Sequence, residues 1–283
     1  MFKLGYNTNG FTSHSLLSAI DIIGSHGYDS IAITIDHHAL NPLDEVISSQ
    51  ILHVKKRLDT YQLSSIVETG ARFLLNPMQK HDPTLISKAP EKREVRIHFI
   101  EQCLDIASAL GSDAVSIWSG EIKPGVDNAN AWDWLVSGCR RLCKKALDRG
   151  VSIGFEPEPG MLVENLSHYQ MLKERVNHDS FKLTLDLGHA FITEKNVCGA
   201  IRAYKDDIVN IHIEDMKKIK HDHLFFGEGD MNFNDIFYAL KDINYNGQVN
   251  IELSRHSHNA VETSENAIQV LNPIRHLFSH QVK

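Results

Sequence analysis

The stretch VSIGFE at residues 151–156 carries two kinds of side chain in alternation. Val151, Ile153 and Phe155 are apolar, whereas the residues between them are small or polar and end in Glu156. Because successive side chains of a β-strand point to opposite faces, this pattern predicts a strand with one apolar face and one polar face.

Short runs of this kind recur from one end of the chain to the other. They predict further strands at 2–7, 29–36, 63–68, 113–118, 181–186, 208–214 and 247–253. The segments between them are typical of helices and lie around 14–26, 44–60, 92–110, 129–149, 166–176, 194–204, 234–242 and 260–278. Strands that alternate with helices in this way predict a parallel sheet joined by helical crossovers.

The polar faces of the strands favour a closed barrel over an open, doubly wound sheet. In 29–36, 181–186, 208–214 and 247–253, apolar residues again alternate with polar or small ones, so that Val209, for example, is expected on an apolar face. Parallel strands that helices cover on both faces are normally apolar throughout. Apolar faces against an outer ring of helices, with polar faces converging on one axis, indicate a (β/α)₈ TIM barrel instead.

Length and composition agree with this α/β fold. The chain has 283 residues, near the roughly 250 that are typical of such a barrel, and we predict a single TIM-barrel domain over residues 1–283. The formal charge of −7 argues against a nucleic-acid partner. No apolar run approaches the roughly 18 residues of a membrane span, and the N-terminus lacks the pattern of a secretory signal. We therefore expect a cytoplasmic protein without a membrane partner.

Four residues at the ends of the later strands suggest a metal site. Glu156, Asp186, His212 and Glu252 lie at or near the ends of the last four predicted strands, with the parity of the polar face. The carboxyl ends of barrel strands face the site that the βα-loops build. Three carboxylates that meet there, beside an imidazole, would repel one another without a cation. Oxygen ligands with a single nitrogen favour Mn²⁺ or Mg²⁺, although Co²⁺ or Zn²⁺ also suits them.

The early strands supply candidate substrate contacts around the same mouth. Glu68 ends the third predicted strand. Arg72 follows it in a long loop, close to the strand end, where it could hold a phosphate, a carboxylate or Glu68 itself. Trp118 ends the fourth strand, where its ring could stack on a sugar or fill the top of the barrel. His38 follows the second strand. These residues are predicted to bind substrate.

Several of these segments together resemble a known family. FEPEPG at 155–160, LDLGHA at 185–190, HIED at 212–215, IEL at 251–253 and HDHLFFGEGDMNFNDI at 221–236 resemble the xylose isomerase-like TIM barrels. That superfamily includes D-tagatose 3-epimerase, L-rhamnose isomerase-like epimerases, inosose and dehydroshikimate dehydratases, and endonuclease IV. The resemblance runs along most of the chain, and its motifs are specific for the superfamily rather than for a substrate.

The resemblance implies roles for individual residues. It assigns metal ligation to the four strand-end residues above, and proton transfer through an enediolate to Glu156 and Glu252. His189 matches a histidine that contacts substrate oxygens near the metal. Lys218 stands where epimerases often have arginine, and Leu162 stands where they tend to have a second glutamate, so the substrate contacts there are expected to differ.

The resulting prediction is a metal-dependent isomerase or epimerase that acts on a sugar, a sugar phosphate or a cyclitol. A dehydratase or lyase of the same barrel family would need the same metal and base, and the sequence does not separate the two. A phosphoesterase like endonuclease IV needs several zinc ions, extra histidines on the early strands and a basic surface, which Glu68 and the negative charge disfavour. The resemblance also suggests a homodimer.

Overall fold

Eight parallel strands close into a barrel in a computed structural model that describes residues 2–277. The barrel strands are β1 (Lys3–Asn7), β2 (Ser30–Thr34), β3 (Ser64–Glu68), β4 (Ala114–Ile117), β5 (Ser152–Phe155), β6 (Phe181–Asp186), β7 (Ile208–Ile213) and, after an antiparallel hairpin of β8 (Asp215–Lys217) and β9 (Lys220–Leu224), β10 (Gln248–Ile251). Neighbours in the barrel follow chain order, and β1 pairs with β10 to close it. The predicted TIM barrel is confirmed.

Helices connect the strands. They are α1 (Leu16–Ser25), α2 (Ile47–Tyr61), α3 (Pro90–Leu110), α4 (Asn128–Arg149), α5 (Leu166–Val176), α6 (Leu187–Thr193), α7 (Val197–Ala203), α8 (Phe233–Asp242) and α9 (Ala260–Leu277), with short 3₁₀ helices at Thr8–Phe11 and Ser254–Asn259. The last residue of the predicted helix at 260–278 lies outside the described residues. Within the described part of the chain, no helix combines the length and the apolar character that crossing a bilayer requires.

The structure differs from the sequence-based prediction between β6 and α8. The segment predicted as one helix at 194–204 is preceded by α6, which begins directly after β6 because Asp186 caps it: its Oδ1 accepts the backbone N–H of His189 at 2.7 Å. The β8–β9 hairpin was not predicted, since its strands are short and rich in charged residues without apolar alternation.

A buried aspartate anchors this hairpin to the loop that follows it. Asp215 is 1% exposed, and its carboxylate accepts four backbone N–H groups, from Met216, Gly227, Gly229 and Met231. A Cβ atom at Gly229 would lie 2.3 Å from Asp215 Oδ1, so only glycine fits there. The hairpin and its loop are thus fixed by one side chain.

A chain of hydrogen-bonded polar side chains runs through the interior of the barrel. Ser30 donates to Asn250 at 3.1 Å, Asn250 Nδ2 donates to Asn210 Oδ1 at 2.9 Å, and Asn210 Nδ2 donates to Glu68 Oε1 at 3.1 Å. All four side chains are buried. Because a buried polar group is costly unless it is hydrogen-bonded, this chain of bonds explains how the barrel tolerates the polar face seen in the sequence.

A small apolar cluster also lies among the strands. Ala32, Ile66 and Ala114 are fully buried on neighbouring strands, and Val209 packs against them. Val209 was expected on the outer, helix-facing side together with Ile211 and Ile213. The pairing of β6 with β7 shifts register between Leu183 and Thr184, next to Val209. This irregularity breaks the simple alternation at the start of β7.

Candidate metal centre

The four strand-end residues meet at one point above the barrel. Glu156 follows β5, Asp186 ends β6, His212 lies in β7 and Glu252 follows β10, and one donor atom from each lies within 4.8 Å of the other three. His212 Nδ1 is 3.1 Å from Glu156 Oε1, 2.9 Å from Glu252 Oε2 and 3.9 Å from Asp186 Oδ2. The parity of four separate strands therefore brings four potential ligands together.

The donors present fit a divalent cation. Asp186 uses Oδ1 to cap α6, whereas its Oδ2 is buried and is unpartnered within the part of the chain that the structure describes. A buried oxygen without a donor is costly, and this one belongs to a carboxyl that lies among two others and one imidazole. Three oxygens and a single nitrogen form a ligand set that hard or borderline divalent ions accept.

Glu68 orients the imidazole of this cluster. Its Oε1 lies 2.9 Å from His212 Nε2 and also accepts a hydrogen bond from Asn210. If Nε2 carries the proton and donates it to Glu68, the lone pair of Nδ1 faces the three carboxylates. A carboxylate behind the distal nitrogen of a ligating histidine is a common means of fixing its tautomer. Glu68, predicted to contact substrate, thus contacts His212 as well as the cavity.

Replacing Glu68 by glutamine tests this arrangement. We expect the Glu68→Gln variant to bind a divalent ion about 10–100-fold more weakly, because a neutral amide no longer selects the tautomer that leaves Nδ1 free. Isothermal titration with Mn²⁺ or Zn²⁺ measures the affinity, and Glu164→Gln, which removes a glutamate that does not line the cavity, is the control. Unchanged affinity in Glu68→Gln would contradict the assignment.

The packing of three carboxyl groups around one imidazole shifts their pKa values in opposite directions. Burial, with repulsion from Glu252 and Asp186, raises the pKa of Glu156 despite its attraction to His212. Burial opposes ionisation of Glu252 too, but the attraction to His212 outweighs it and lowers the pKa of Glu252. Burial would lower the pKa of His212, yet the nearby Glu68, Glu156 and Glu252 raise it. A divalent cation would take over the neutralising role of these protons.

A cavity of about 200 Å³ opens beside the cluster. Of the predicted substrate contacts, His189, Glu68, Arg72 and Trp118 line it. His189 Nε2 is 3.6 Å from Asp186 Oδ2, and burial lowers the pKa of His189 to about 4, so its imidazole is neutral at physiological pH.

Arg72 and Trp118 are both held by neighbours. Arg72 donates to the carbonyl of Asn9 at 3.2 Å and lies 3.7 Å from Asp36. The guanidinium of the fully buried Arg96 lies 4.4 Å from the centre of the Trp118 ring. Arg96 therefore occupies one approach to that ring. This contact could not be predicted, because Arg96 lies within an ordinary helix pattern.

Two predicted contacts lie elsewhere among the described residues. Lys218 is exposed in the turn of the β8–β9 hairpin, where its Nζ binds the backbone carbonyls of Phe191 and Glu194. His38 is exposed and lines an adjoining groove of about 790 Å³ that shares Asn9 and Arg72 with the cavity. The structure does not bring either side chain to the metal centre, because Lys218 follows the hairpin turn outward and His38 lies beyond the end of β2.

Several residues that line the cavity were not predicted, among them Asn9 and Glu158. Asn9 donates from Nδ2 to Glu252 Oε1 at 2.7 Å, and it lies just past the end of β1, in a 3₁₀ helix where strand parity gives no guide. Glu158 also lines the cavity, and burial together with repulsion from Glu252 and Asp186 raises its pKa to about 8. Glu158 lies two residues after Glu156 in the sequence, and this spacing could have indicated that it lies at the same end of the barrel.

The pKa of Glu158 predicts how stability depends on pH. A carboxyl whose pKa rises from 4.5 to about 8 on folding binds more protons in the folded state, so its contribution to stability is lost as pH rises through that range. In EDTA, we expect Glu158→Gln to become more stable relative to wild type, by several degrees in Tm, between pH 5 and about 8. Thermal melts of both proteins, with Glu265→Gln as a surface control, measure this. A difference in Tm that does not change with pH would refute the prediction.

Sequence comparison relates the chain to known proteins. A family model described as xylose isomerase-like TIM barrel matches residues 20–274. The uncharacterized protein MJ1311 of Methanocaldococcus jannaschii is 25% identical over 281 residues, covering 93% of this chain and 87% of that protein. An inosose dehydratase of Clostridium perfringens is 24% identical over 142 residues, covering 44% of this chain and 48% of that enzyme. The chain thus matches about half the length of the dehydratase.

Solved structures share the fold. An L-ribulose 3-epimerase superposes with a TM-score of 0.79 at 17% identity, covering 100% of both chains. The IolI protein, in a structure with a bound zinc atom, has a TM-score of 0.79 at 18% identity over 99% of this chain and 100% of that one. A D-tagatose 3-epimerase-like protein has a TM-score of 0.76 at 23% identity over 96% and 99%. Identities this low show the architecture alone.

Proposed function

Because this chain belongs to the xylose isomerase-like TIM barrel family, we propose that it is a divalent-metal-dependent enzyme that isomerises or epimerises a sugar, a sugar phosphate or a cyclitol. The main support is the meeting of Glu156, Asp186, His212 and Glu252 within 4.8 Å, beside a cavity of about 200 Å³. Its small volume suits a compact ligand rather than a drug-sized one. The epimerases and dehydratases to which the chain is similar support an enzyme of this substrate class.

The chemistry divides between the ion and the side chains. A divalent cation bound at the centre would stabilise the negative charge that builds up on a substrate carbonyl oxygen as a neighbouring carbon loses its proton. We assign the removal and the return of that proton to Glu156 and Glu252, whose oxygens approach the same nitrogen of His212 at 3.1 and 2.9 Å. Asn9 holds the second oxygen of Glu252.

The cavity walls would hold the rest of the substrate. His189 and Arg72 line the cavity and offer an imidazole and a guanidinium to hydroxyl groups of the substrate, and Trp118 offers an aromatic ring to a sugar face. Asn9 and Arg72 border both the cavity and the adjoining groove, so a substrate with an additional group has a place to extend. The anionic partner of Arg72 in the protein, Asp36, disfavours a strongly charged substrate at that position.

Removal and return of the metal test the proposal. The protein is stripped with EDTA, reloaded with Mn²⁺, Mg²⁺, Co²⁺ or Zn²⁺, and incubated in D₂O with a panel of ketoses and inososes. We expect deuterium to appear at a carbon next to the carbonyl only after reloading, as seen by NMR and mass spectrometry. Deuterium exchange by the stripped protein at the same rate as by the reloaded protein would contradict a metal-dependent mechanism.

The same experiment separates the main alternative. A dehydratase remains the second candidate, because the inosose dehydratase of Clostridium perfringens matches 44% of this chain. Loss of the mass of water from the product would assign dehydration, whereas retention of mass with a changed configuration would assign epimerisation. Retention of mass with a shifted carbonyl would assign isomerisation.

A further inference from the structure

The cavity beside the metal centre is lined by positive charge as well as by carboxyl groups. The strands that carry the four ligands, β5, β6, β7 and β10, are neighbours in the barrel, whereas β3 lies in the other half of the ring. The loop after β3 contributes the positively charged side chains of Arg72 and Lys80 to the lining. The carboxylate at the end of β3, Glu68, is already bonded to His212 and Asn210. A ligand that fills the cavity therefore meets cationic side chains away from the metal centre.

The two cations of this loop differ in their partners. Arg72 lies 3.7 Å from Asp36 and donates to the carbonyl of Asn9 at 3.2 Å. Lys80 is exposed, and its ammonium group forms no ion pair or hydrogen bond within the described part of the chain. An ammonium on a flexible stem has three donors to offer. Lys80 is thus the cation of this loop that is available to a ligand.

The residue after Lys80 fixes the backbone at the cavity wall. The N–H of His81 donates to the carbonyl of Arg72 at 2.6 Å. Its Nδ1 donates to the carbonyl of Gly70 at 2.8 Å, since a carbonyl can only accept. The ring packs edge-to-face on Trp118, with 5.4 Å between the ring centres. Lys80 therefore extends from an anchored point of the loop, and ligand binding would order little more than its own side chain.

A buried arginine adds a second positive charge behind this wall. Arg96 is 1% exposed, and its Nη2 donates to the carbonyl of Thr69 at 2.8 Å. Its Nη1 has no partner among residues 2–277, and no carboxylate there offsets the burial of its charge. The guanidinium lies 4.4 Å from the centre of the Trp118 ring, which lines the cavity. Because a buried charge without a counter-ion is costly, an anion in the cavity would offset part of this cost.

The combined field of these charges acts on His81. Burial lowers the pKa of His81 to about 4. Three nearby positive charges, on Lys80, Arg96 and Arg72, act in the same direction. An environment that disfavours a further positive charge favours a negative one, and the effect is strongest where water is excluded.

We propose that the substrate carries an anionic group, a carboxylate or a phosphate, away from its reacting carbonyl, and that Lys80 binds this group. The inference rests on the proposed function, in which the carbonyl end of the substrate lies at the metal centre. It narrows the substrate to an acidic or phosphorylated sugar or cyclitol. A lysine suits either oxyanion because it acts as a point charge, whereas the guanidinium of Arg72 is already paired with Asp36.

Binding of unreactive probes tests the inference without turnover. The Mg²⁺-loaded chain is titrated by calorimetry with D-glucitol, D-gluconate and D-glucitol 6-phosphate, which share a carbon chain and lack a ketone. We expect at least one anionic probe to bind about 10–100-fold more weakly to Lys80→Gln than to wild type, whereas D-glucitol should bind both alike. The probe that loses affinity identifies the anion, and added KCl should weaken its binding to wild type.

Two further variants make this measurement specific. Lys80→Arg keeps the positive charge and should retain most of the affinity for the anionic probe. Lys88→Gln removes an exposed lysine of the same loop that does not line the cavity, and should bind like wild type. Equal affinity of wild type and Lys80→Gln for both anionic probes, or no binding of either, would overturn the inference.

Deuterium exchange separates failure of this inference from failure of the proposed function. Neutral ketoses are compared in D₂O with ketose phosphates and keto-aldonates. For the anionic ketoses, Lys80→Gln should raise KM about 10–100-fold and leave kcat unchanged. Exchange of neutral and anionic ketoses alike, with no difference between wild type and variant, would refute the anion site and leave the metal-dependent enzyme intact. Binding of a probe that depends on Lys80, without exchange of any ketose, would support the anion site and contradict the proposed function.

Discussion

Replacing Glu252 by glutamine is expected to slow deuterium exchange into the substrate about 10²–10⁴-fold, the range that a positioned general acid or base contributes. Glutamine is nearly isosteric and can still accept the hydrogen bond from Asn9, which now reaches Oε1 at 2.7 Å. It cannot carry a proton between carbon and enzyme. The same loss is expected for Glu156→Gln, because the proposed exchange needs both carboxyl groups.

The measurement must separate proton transfer from metal loss, since both glutamates also lie in the ligand set. Exchange rates are therefore compared at saturating Mn²⁺, with the ion content of each variant determined in parallel. Glu164→Gln should exchange at the wild-type rate. A Glu252→Gln protein that holds its metal ion and exchanges at full speed would remove Glu252 from the catalytic pair.

Replacing Asp186 by asparagine should abolish most of the thermal stabilisation that the ion gives to the wild-type protein. In EDTA, Asp186→Asn is expected to melt close to the wild-type temperature. The change removes a buried charge whose Oδ2 has no hydrogen-bond partner among the described residues, but it also removes the attraction to His189 and His212 that lowers the pKa of Asp186 despite its burial. The new amide oxygen can still cap α6. With the ion at about 100 times its Kd, wild type should gain on the order of 5–10 °C. The variant should gain about 1 °C or less.

Thermal melts with and without the ion measure both halves of this prediction. Asp206→Asn, on the loop before β7, provides a control for the loss of a carboxylate. A metal-induced rise in Asp186→Asn equal to that of wild type would show that Asp186 does not ligate. A marked fall in the Tm of its metal-free form would instead show that the carboxylate is mainly structural.

Strand parity explains why so much of the centre could be predicted from sequence. Alternation along a strand is a local rule, and it places Glu156, Asp186 and His212 inward without knowledge of the rest of the chain. Closure of the barrel then brings the strand ends together, so that the donor atoms of these side chains and of Glu252 lie within 4.8 Å of one another. The same rule failed at Val209, because a register shift in a neighbouring strand pair is not visible in the alternation.

Positions outside the strands could not be predicted in this way. Asn9 reaches Glu252 from a 3₁₀ helix, and His221 reaches His189 from a hairpin that folds back over the barrel mouth. Both contacts join residues far apart in sequence, and their geometry depends on how a loop returns rather than on a repeating pattern. Lys218 was wrongly expected to contact substrate for the same reason. Its position in the sequence motif did not indicate the direction of the hairpin turn, which carries its side chain to the carbonyl of Glu194.

The carboxylate of Asp215 has a consequence for the motion of the hairpin at the barrel mouth. Its four amide contacts tie the hairpin and the following loop into one rigid unit, so His221 and His223 are held in place by the polypeptide itself. Groups that are preorganised lose little conformational entropy when a ligand binds beside them. The hairpin amides are therefore expected to exchange slowly with deuterated solvent, and this exchange should change little when a substrate enters the cavity that His223 lines.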